Sequence, residues 1–361
     1  MKIFIILGTR PEIIKMSPII RVCQKNKIDF SILHTNQHYS QNLDKIFFKE
    51  LNLPQPKHNL NVGSGAHAEQ TGKILIGVEK ILIRERPDIV LVEGDTNSTL
   101  GGALAAAKIH IKIGHVEAGL RSYFREMPEE INRILTDHCS DYLFAPTKKA
   151  KEILLKEGIA GKKVFMTGNT IVDAVFQNIK LAEKKSKILK KLNLQKSQYF
   201  LMTAHRAENV DNKERLKGIL KGAEMISQEF NLPIIYPIHP RTRKMINKFK
   251  IPVSKNVHLT EPLGYLDFLL LQKNAKLILT DSGGIQEEAC IIRIPCVTLR
   301  DNTERPETLE AKSNILAGSD SGKIMKAVKK MVNSKKQWKN PFGNGKAAEE
   351  IIKIIKKTVK N

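Results

Sequence analysis

The sequence is short of the features that mark several broad protein classes. Its four cysteines, at 23, 139, 290 and 296, form no CxxC pair and no repeated spacing. That argues against a disulfide framework or a zinc site and leaves buried free thiols. No run approaches the uninterrupted apolar length that a bilayer span requires. The first strand-like run starts at once, with no basic n-region, apolar h-region or small-residue cleavage site before it, so a cytoplasmic protein without membrane partners is expected. Aromatic residues are only 6% of the chain, too few to suggest base-stacking platforms for single strands. Neither GxxxxGK[ST] nor GxGxxG occurs, which removes the P-loop and the dinucleotide fingerprint.

Acidic residues are also scarce, 37 against 60 lysines and arginines, for a net charge of +23. A nucleic-acid partner is one way to use such an excess. However, the basic residues sit mostly in stretches such as "EKKSKILKKLNL" (183–194) and "EEIIKIIKKTVK" (349–360). There they alternate with apolar residues at helical spacing, as a solvated face does. No nucleic acid is expected, and an anionic small substrate accounts for the cations that fall in loops.

What the chain does have is a sustained alternation of short apolar runs and helical patterns. Strands are expected at 2–7, 29–34, 88–93, 111–116, 141–146 and 163–168, and again at 199–204, 233–238, 256–260, 276–281, 295–300 and 313–318. Such alternation means βαβ units and parallel sheets. At 361 residues the length suits two domains. The polar connection "QNIKLAEKKSKILKKLNLQKSQ" (177–198) lies between the halves. The expected division is an N-terminal Rossmann-like domain at 1–175, a second at 176–340, and a last helix at 341–361 returning to the first. In doubly wound sheets ligands sit beyond the carboxyl ends of the strands, so the residues just after each strand carry the functional question.

After the first strand comes "GTRPEIIK". Gly8 allows a tight turn, Pro11 suits the first helical position, and Arg10 adds a guanidinium at a helix start that favours anions. An ordinary βα turn with a surface arginine reads equally well. "GDTNST" places Asp95 after the strand at 88–93, where capping of the next helix is the commonest use of such a residue. Glu117 follows the strand at 111–116, and "MPEEINR" sets Glu129, Glu130 and Arg133 at a helix start. Three carboxylates, Asp95, Glu117 and Glu129, at one sheet edge suit divided acid and base roles.

In the second half the strand at 199–204 ends in His205 and Arg206, and the strand at 276–281 ends in "DSGGIQEEA". Two glycines opening a helix let backbone N–H groups approach a pyrophosphate, with a serine-capped turn as the plain alternative. Glu288, one turn on, is placed to accept from ribose hydroxyls. "RDNTERPE" then supplies Arg300, Glu304 and Arg305. Carboxylates in one domain and a diphosphate cradle in the other suit a nucleotide sugar.

The motifs "GTRPEIIK", "GDTNST", "HVEAGLRS", "MPEEINR", "TAHRAEN", "DSGGIQEEA" and "RDNTERPE", spread in order from residue 8 to 307, resemble the non-hydrolysing UDP-N-acetylglucosamine 2-epimerases. The resemblance implies an α/β fold of glycosyltransferase-B type, with two Rossmann-like domains facing across a cleft. It implies reversible epimerisation at C2 of UDP-N-acetylglucosamine (UDP-GlcNAc) to the manno epimer (UDP-ManNAc), by elimination of UDP to 2-acetamidoglucal and re-addition, without metal or nicotinamide, by a homodimer. Matched motif by motif, Asp95, Glu117, Glu129 and His205 are the catalytic residues. Arg10, Lys15, Arg133, Phe268, Ser282, Gly283, Gly284, Glu288 and Arg305 are the substrate contacts. The segment "NQHYSQNLDKIFF", which contains Gln37-His38, departs from many bacterial members, in which a shorter segment follows that pair; some bacterial members bind a second substrate molecule near there. Pro11, Glu12 and Lys15 separate the chain from the hydrolysing epimerases. Those enzymes, and glycosyltransferases of the same architecture, are the alternative readings.

Overall fold

The computed structural model describes residues 1–37 and 41–359, without the side chains of residues 41–45. His38 lies outside the described residues. The chain forms two compact units, one of residues 1–177 with 342–361, the other of residues 178–341.

Unit 1 is built on β1 (Lys2–Leu7), β2 (Asp29–His34), β3 (His58–Asn59), β4 (Ile89–Glu93), β5 (Lys112–Val116), β6 (Tyr142–Ala145) and β7 (Val164–Met166). Their order in the sheet is β3-β2-β1-β4-β5-β6-β7. All pairings are parallel, with Ile5 opposite Ile32 on one side and Leu91 on the other. Helices cover both faces of such a sheet, so its central strands read as continuous apolar runs rather than alternating ones. Phe4, Ile6, Val90 and Val92 from β1 and β4 pack with Ile74 and Val78 of helix His67–Glu85 and with Ala103 and Ala106 of helix Asn97–Lys108. The last helix, Ala347–Thr358, belongs to this unit, and the buried Asp173 accepts from its first two N–H groups, of Ala347 and Ala348, at 3.2 and 3.0 Å.

Unit 2 repeats the scheme with β8 (Phe200–Thr203), β9 (Ile234–Pro237), β10 (Val257–Thr260), β11 (Ile278–Thr280), β12 (Cys296–Thr298) and β13 (Asn314–Leu316), in the order β10-β9-β8-β11-β12-β13. Phe200, Met202, Ile234, Tyr236, Leu279 and Val297 form its core with Leu216 and Ile219 of helix Lys213–Phe230 and Ile324 and Val328 of helix Ser321–Val332. The four cysteines are free, three of them buried.

The twelve expected strands are present, each within two residues of its expected limits. The two-residue β3, with no apolar run of its own, was not anticipated. Each sheet reverses its winding once, between β1 and β4 and between β8 and β11. Those switch points are where an open α/β sheet leaves a crevice for ligands.

Candidate active site

At the switch point of unit 1 the turn after β1 is fixed by a buried carboxylate. Glu12 accepts from the Gly8 N–H at 3.0 Å, from Thr9 Oγ1 at 2.8 Å, and from Thr96 and Thr99 Oγ1 at 2.9 and 3.2 Å. It thereby joins the turns after β1 and β4. Burial raises its pKa against the pull of these donors. Gly8 serves close approach rather than an unusual backbone angle: a Cβ there would lie 1.9 Å from Ser98 Oγ. Arg10 is exposed, with its guanidinium carbon 6.0 Å from the centre of the Phe47 ring.

One turn further, Lys15 Nζ lies 2.6 Å from Glu117 Oε1 and 3.1 Å from Glu93 Oε1. Glu117 is buried, holds a left-handed φ of +68°, and accepts from Asn169 Nδ2 at 3.2 Å. Glu93 sits at the end of β4 with a pKa held well above the usual range. Burial is the main cause, opposed by Lys15 and reinforced by the charges of Glu117 and Glu12. The ammonium group is thus shared by two carboxyls, one of which favours its neutral form.

Asp95 does not cap the helix that follows it. That role belongs to Thr96, whose hydroxyl accepts from the Thr99 N–H. Asp95 is instead ion-paired with Arg133 at 2.5 Å, and the same guanidinium binds Glu130 at 2.5 Å. Glu130, by accepting also from the Ser122 and Tyr123 N–H groups, orders the loop before helix Pro128–Cys139. Burial alone would raise the Glu130 pKa, but these donors and Arg133 bring it below the ordinary value. Glu129 is half-buried and makes no side-chain hydrogen bond or ion pair among the described residues. Of the two adjacent glutamates, Glu130 is structural and Glu129 is available for chemistry.

At the switch point of unit 2, Asp281 is buried and accepts from the His205 and Arg206 N–H groups, both at 2.9 Å, and from Asn209 Nδ2 at 3.2 Å. Its other oxygen lies 3.1 Å from His205 Nδ1. Although burial opposes it, this set of donors with His205 holds the Asp281 pKa low. The carboxylate therefore orients the exposed imidazole, leaving Nε2 to meet a ligand.

A cavity of about 240 Å³ opens beside it, lined among others by Thr203, His205, His239, Leu263, Phe268 and Ile285. Helix Gly283–Ile291 begins next to this cavity, and Ser282 in its N-cap position makes no side-chain cap hydrogen bond. The plain reading of the turn as a serine cap is therefore excluded. A Cβ on Gly284 would meet nothing within 4 Å, so space is open beside this turn, whose Ser282 N–H is donated to Thr280 Oγ1 at 3.0 Å. Arg305 flanks it, paired with Glu287 at 2.8 Å. Glu288 accepts from Gln272 Nε2 at 2.6 Å and from the Tyr265 hydroxyl at 3.1 Å, and burial pushes its pKa up to about 7.

Four contributors were not singled out from sequence: Glu93, Asn169, Asp281 as the partner of His205, and His239. Only His239 had a usable signal, since it directly follows the apolar run at 233–238 and precedes a proline.

A sequence model of the UDP-N-acetylglucosamine 2-epimerases matches residues 21–356. The chain belongs to the UDP-N-acetylglucosamine 2-epimerase family. A curated UDP-N-acetylglucosamine 2-epimerase of Methanocaldococcus jannaschii is 60% identical, the match covering 98% of this chain and 99% of that protein. The crystal structure of the M. jannaschii UDP-GlcNAc 2-epimerase in complex with UDP-GlcNAc and UDP superposes with a TM-score of 0.88, covering 99% of this chain and 100% of the other. The UDP-GlcNAc 2-epimerase of Neisseria meningitidis bound to UDP-GlcNAc, 36% identical, also gives 0.88, with the same coverage. In this 2-epimerase the resemblance noted in the motifs extends over the whole α/β architecture.

Proposed function

We propose that the chain is a non-hydrolysing UDP-GlcNAc 2-epimerase that interconverts UDP-GlcNAc and UDP-ManNAc. One observation supports the reading: carboxylates stand after β4 and β5 in one unit, and two glycines open a helix after β11 in the other.

The C2–H of a nucleotide sugar is not acidic, because C1 bears a glycosyl phosphate rather than a carbonyl. Loosening the C1–O bond to UDP makes C1 oxocarbenium-like and acidifies C2–H. A base then takes the C2 proton as the C1–O pair leaves with UDP, giving 2-acetamidoglucal. Protonation of C2 from the opposite face, with UDP returning to C1, yields the manno epimer. Departing charge is met by Arg10, His205, Arg305, the Ser282 hydroxyl and the N–H groups of Gly283 and Gly284. Asp95, Glu117 and Glu129 divide the base and acid roles, with Lys15 and Arg133 holding the first two in place. Phe268 lies against uracil and Glu288 accepts from ribose. Among the described residues no group of three or more His, Cys, Asp or Glu is arranged to hold a metal ion, and the scheme needs neither metal nor nicotinamide.

Incubation with UDP-GlcNAc alone in deuterated buffer, followed by proton NMR, tests the reading. The expected product is UDP-ManNAc carrying deuterium at C2, formed after EDTA treatment and without added NAD. Free ManNAc with stoichiometric UDP would reassign the chain to hydrolysis, and a requirement for a sugar acceptor would reassign it to glycosyl transfer. The same reading makes the enzyme a cytoplasmic homodimer, which light scattering on the 40.7 kDa chain checks as a doubled mass.

A further inference from the structure

Beneath the carboxylates of unit 1 lies a buried ion network that the scheme above leaves unused. His115 on β5 and Asp137 in helix Pro128–Cys139 both have fully buried side chains. His115 Nδ1 is 2.7 Å from Asp137 Oδ1, and its Nε2 is 2.9 Å from the Gly94 carbonyl oxygen. Asp137 Oδ2 accepts from the Gly119 N–H at 3.2 Å and pairs with Arg121 Nη2 at 2.7 Å. Arg121 also binds Glu157, at 2.8 Å from Nε and 2.5 Å from Nη2, and the ring of His138 is 3.9 Å from Glu157.

The Gly94 carbonyl can only accept. Asp137 pairs as a carboxylate with the Arg121 guanidinium, so both of its oxygens are acceptors. Both ring nitrogens of His115 must then donate. A ring with a single proton would set a lone pair against one of these oxygens, in a place with no solvent to intervene, and an unmet buried acceptor is costly. Charges along the network alternate through His115, Asp137, Arg121 and Glu157, which is the arrangement that makes buried ions tolerable.

The network holds backbone in left-handed conformations. Gly94 has φ +73° and directly precedes Asp95, while Glu117 has φ +68°. Gly119 has φ +83°, and a Cβ there would come within 2.4 Å of the Ala150 carbonyl oxygen. For a residue with a Cβ, such as Glu117, the left-handed conformation persists only where its surroundings over-determine it. Here the Gly94 N–H bonds to the Val116 carbonyl at 3.1 Å, so the Gly94 turn is pinned on its amide side by β5 and on its carbonyl side by His115.

We propose that doubly protonated His115, paired with Asp137, is the positioning element that fixes the Gly94–Asp95 and Glu117–Gly119 turns and so aims two of the catalytic carboxylates. The inference rests on the epimerase reading for its functional half only. The structural half is read by NMR of the full-length wild-type protein with 15N-labelled histidine. One histidine, assigned by its loss in His115→Phe, should show two protonated ring nitrogens with slow proton exchange. A single protonated nitrogen there overturns the proposal.

The functional half uses Asp137→Asn, which keeps the size but turns a donor toward His115 or Arg121. Turnover per folded molecule should fall about a hundredfold, the loss expected of an ångström-scale misplacement. KM should change by no more than about twofold, and UDP affinity likewise, because the cradle lies in unit 2. A folded variant with wild-type turnover, or one whose loss lies in KM, overturns the aiming role. If wild-type protein fails to epimerise UDP-GlcNAc, the functional reading itself falls, an outcome kept apart by being seen before any variant is made.

Discussion

The two units carry the same strand order about the same kind of switch point, yet their edges are dressed in opposite ways. In unit 1 the turns after β1, β4 and β5 present Glu12, Glu93, Asp95 and Glu117, held by the threonine hydroxyls and by Lys15 and Arg133. In unit 2 the turn after β11 opens a helix through two glycines, and the turn after β8 presents an exposed histidine beside an open cavity, its own N–H groups donated to the inward Asp281. The fold decides where such groups stand, and the first few residues past each strand decide the chemistry. If the division is real, damage to unit 1 should strike proton transfer and spare nucleotide binding, and damage to unit 2 should do more to the nucleotide.

The sharpest break comes from Glu117→Gln. The amide preserves size and can keep the contact with Lys15, but no group remains to carry a proton. Turnover should fall by about 10²–10⁴-fold, the usual loss of a general acid or base, with UDP affinity measured by calorimetry unchanged. A wild-type rate would return Glu117 to a turn residue and move the proton chemistry to Asp95 or Glu129.

His205→Ala sharpens the other side. The side chain is 44% exposed, and Asp281 keeps its two backbone donors and Asn209, so the fold should hold. Loss of a donor aimed at developing charge costs about 10²–10³-fold in turnover. Circular dichroism should be unchanged. A rate close to wild type would leave His205 as no more than a partner for Asp281.

How much of this was legible in the sequence follows from what each feature depends on. The buried strands announce themselves because β1 and β4 have both faces covered and are apolar apart from Lys2 at the start of one and Glu93 at the end of the other, whereas β3 is two residues of an edge with nothing to bury. The residues after the strands were legible as candidates, but their roles were not. Asp95 and Thr96 stand side by side as plausible helix caps, and only the fold shows that Thr96 caps while Asp95 turns to Arg133. Glu12 looks like an ordinary acidic residue of a first helical turn, yet its partner Thr96 lies 84 positions away. Glu93 closes an apolar strand, and its raised pKa depends on Lys15, Glu117 and Glu12 converging on it from other segments. Local pattern fixes elements; pairings across the sheet come only with the fold.

A smaller effect concerns Glu288 and ligand binding. Its pKa of about 7 means that near neutral pH the carboxyl is only partly ionised, and the ionised form is the better acceptor for two ribose hydroxyls. UDP-GlcNAc, whose diphosphate is a diester with no proton to lose in this range, should bind more tightly as pH rises from 6 to 8. Glu288→Gln should weaken it about tenfold at pH 8, as loss of a charge-assisted hydrogen bond implies. A variant that keeps the pH slope would place its origin elsewhere.

The smallest effect is on stability without ligand, and it runs the opposite way. A carboxyl whose pKa is raised in the folded state favours the neutral form there. Its contribution is fully present below the unfolded value of 4.5 and is lost as pH rises through about 7. Glu12 and Glu93, also raised, act in the same sense, and Asp281, Glu130 and Glu304, held low, act against it. The difference between wild type and Glu288→Gln isolates the one group. The substitution is well placed, because a turn of the Gln272 amide, whose Nε2 now faces Glu288, brings to the new amide its Oε1, a buried acceptor with no hydrogen-bond partner among the described residues. The variant's melting temperature should therefore gain on wild type as pH rises from 5 to 8, by on the order of a few degrees. Adding saturating UDP-GlcNAc should erase that gain at pH 8, since the ligand rewards the ionised carboxylate that the free protein disfavours. A constant difference across pH would show that Glu288 ionises as readily folded as unfolded. Its contact with Gln272 would then be an ordinary carboxylate–amide bond, with no reserve of affinity for the nucleotide.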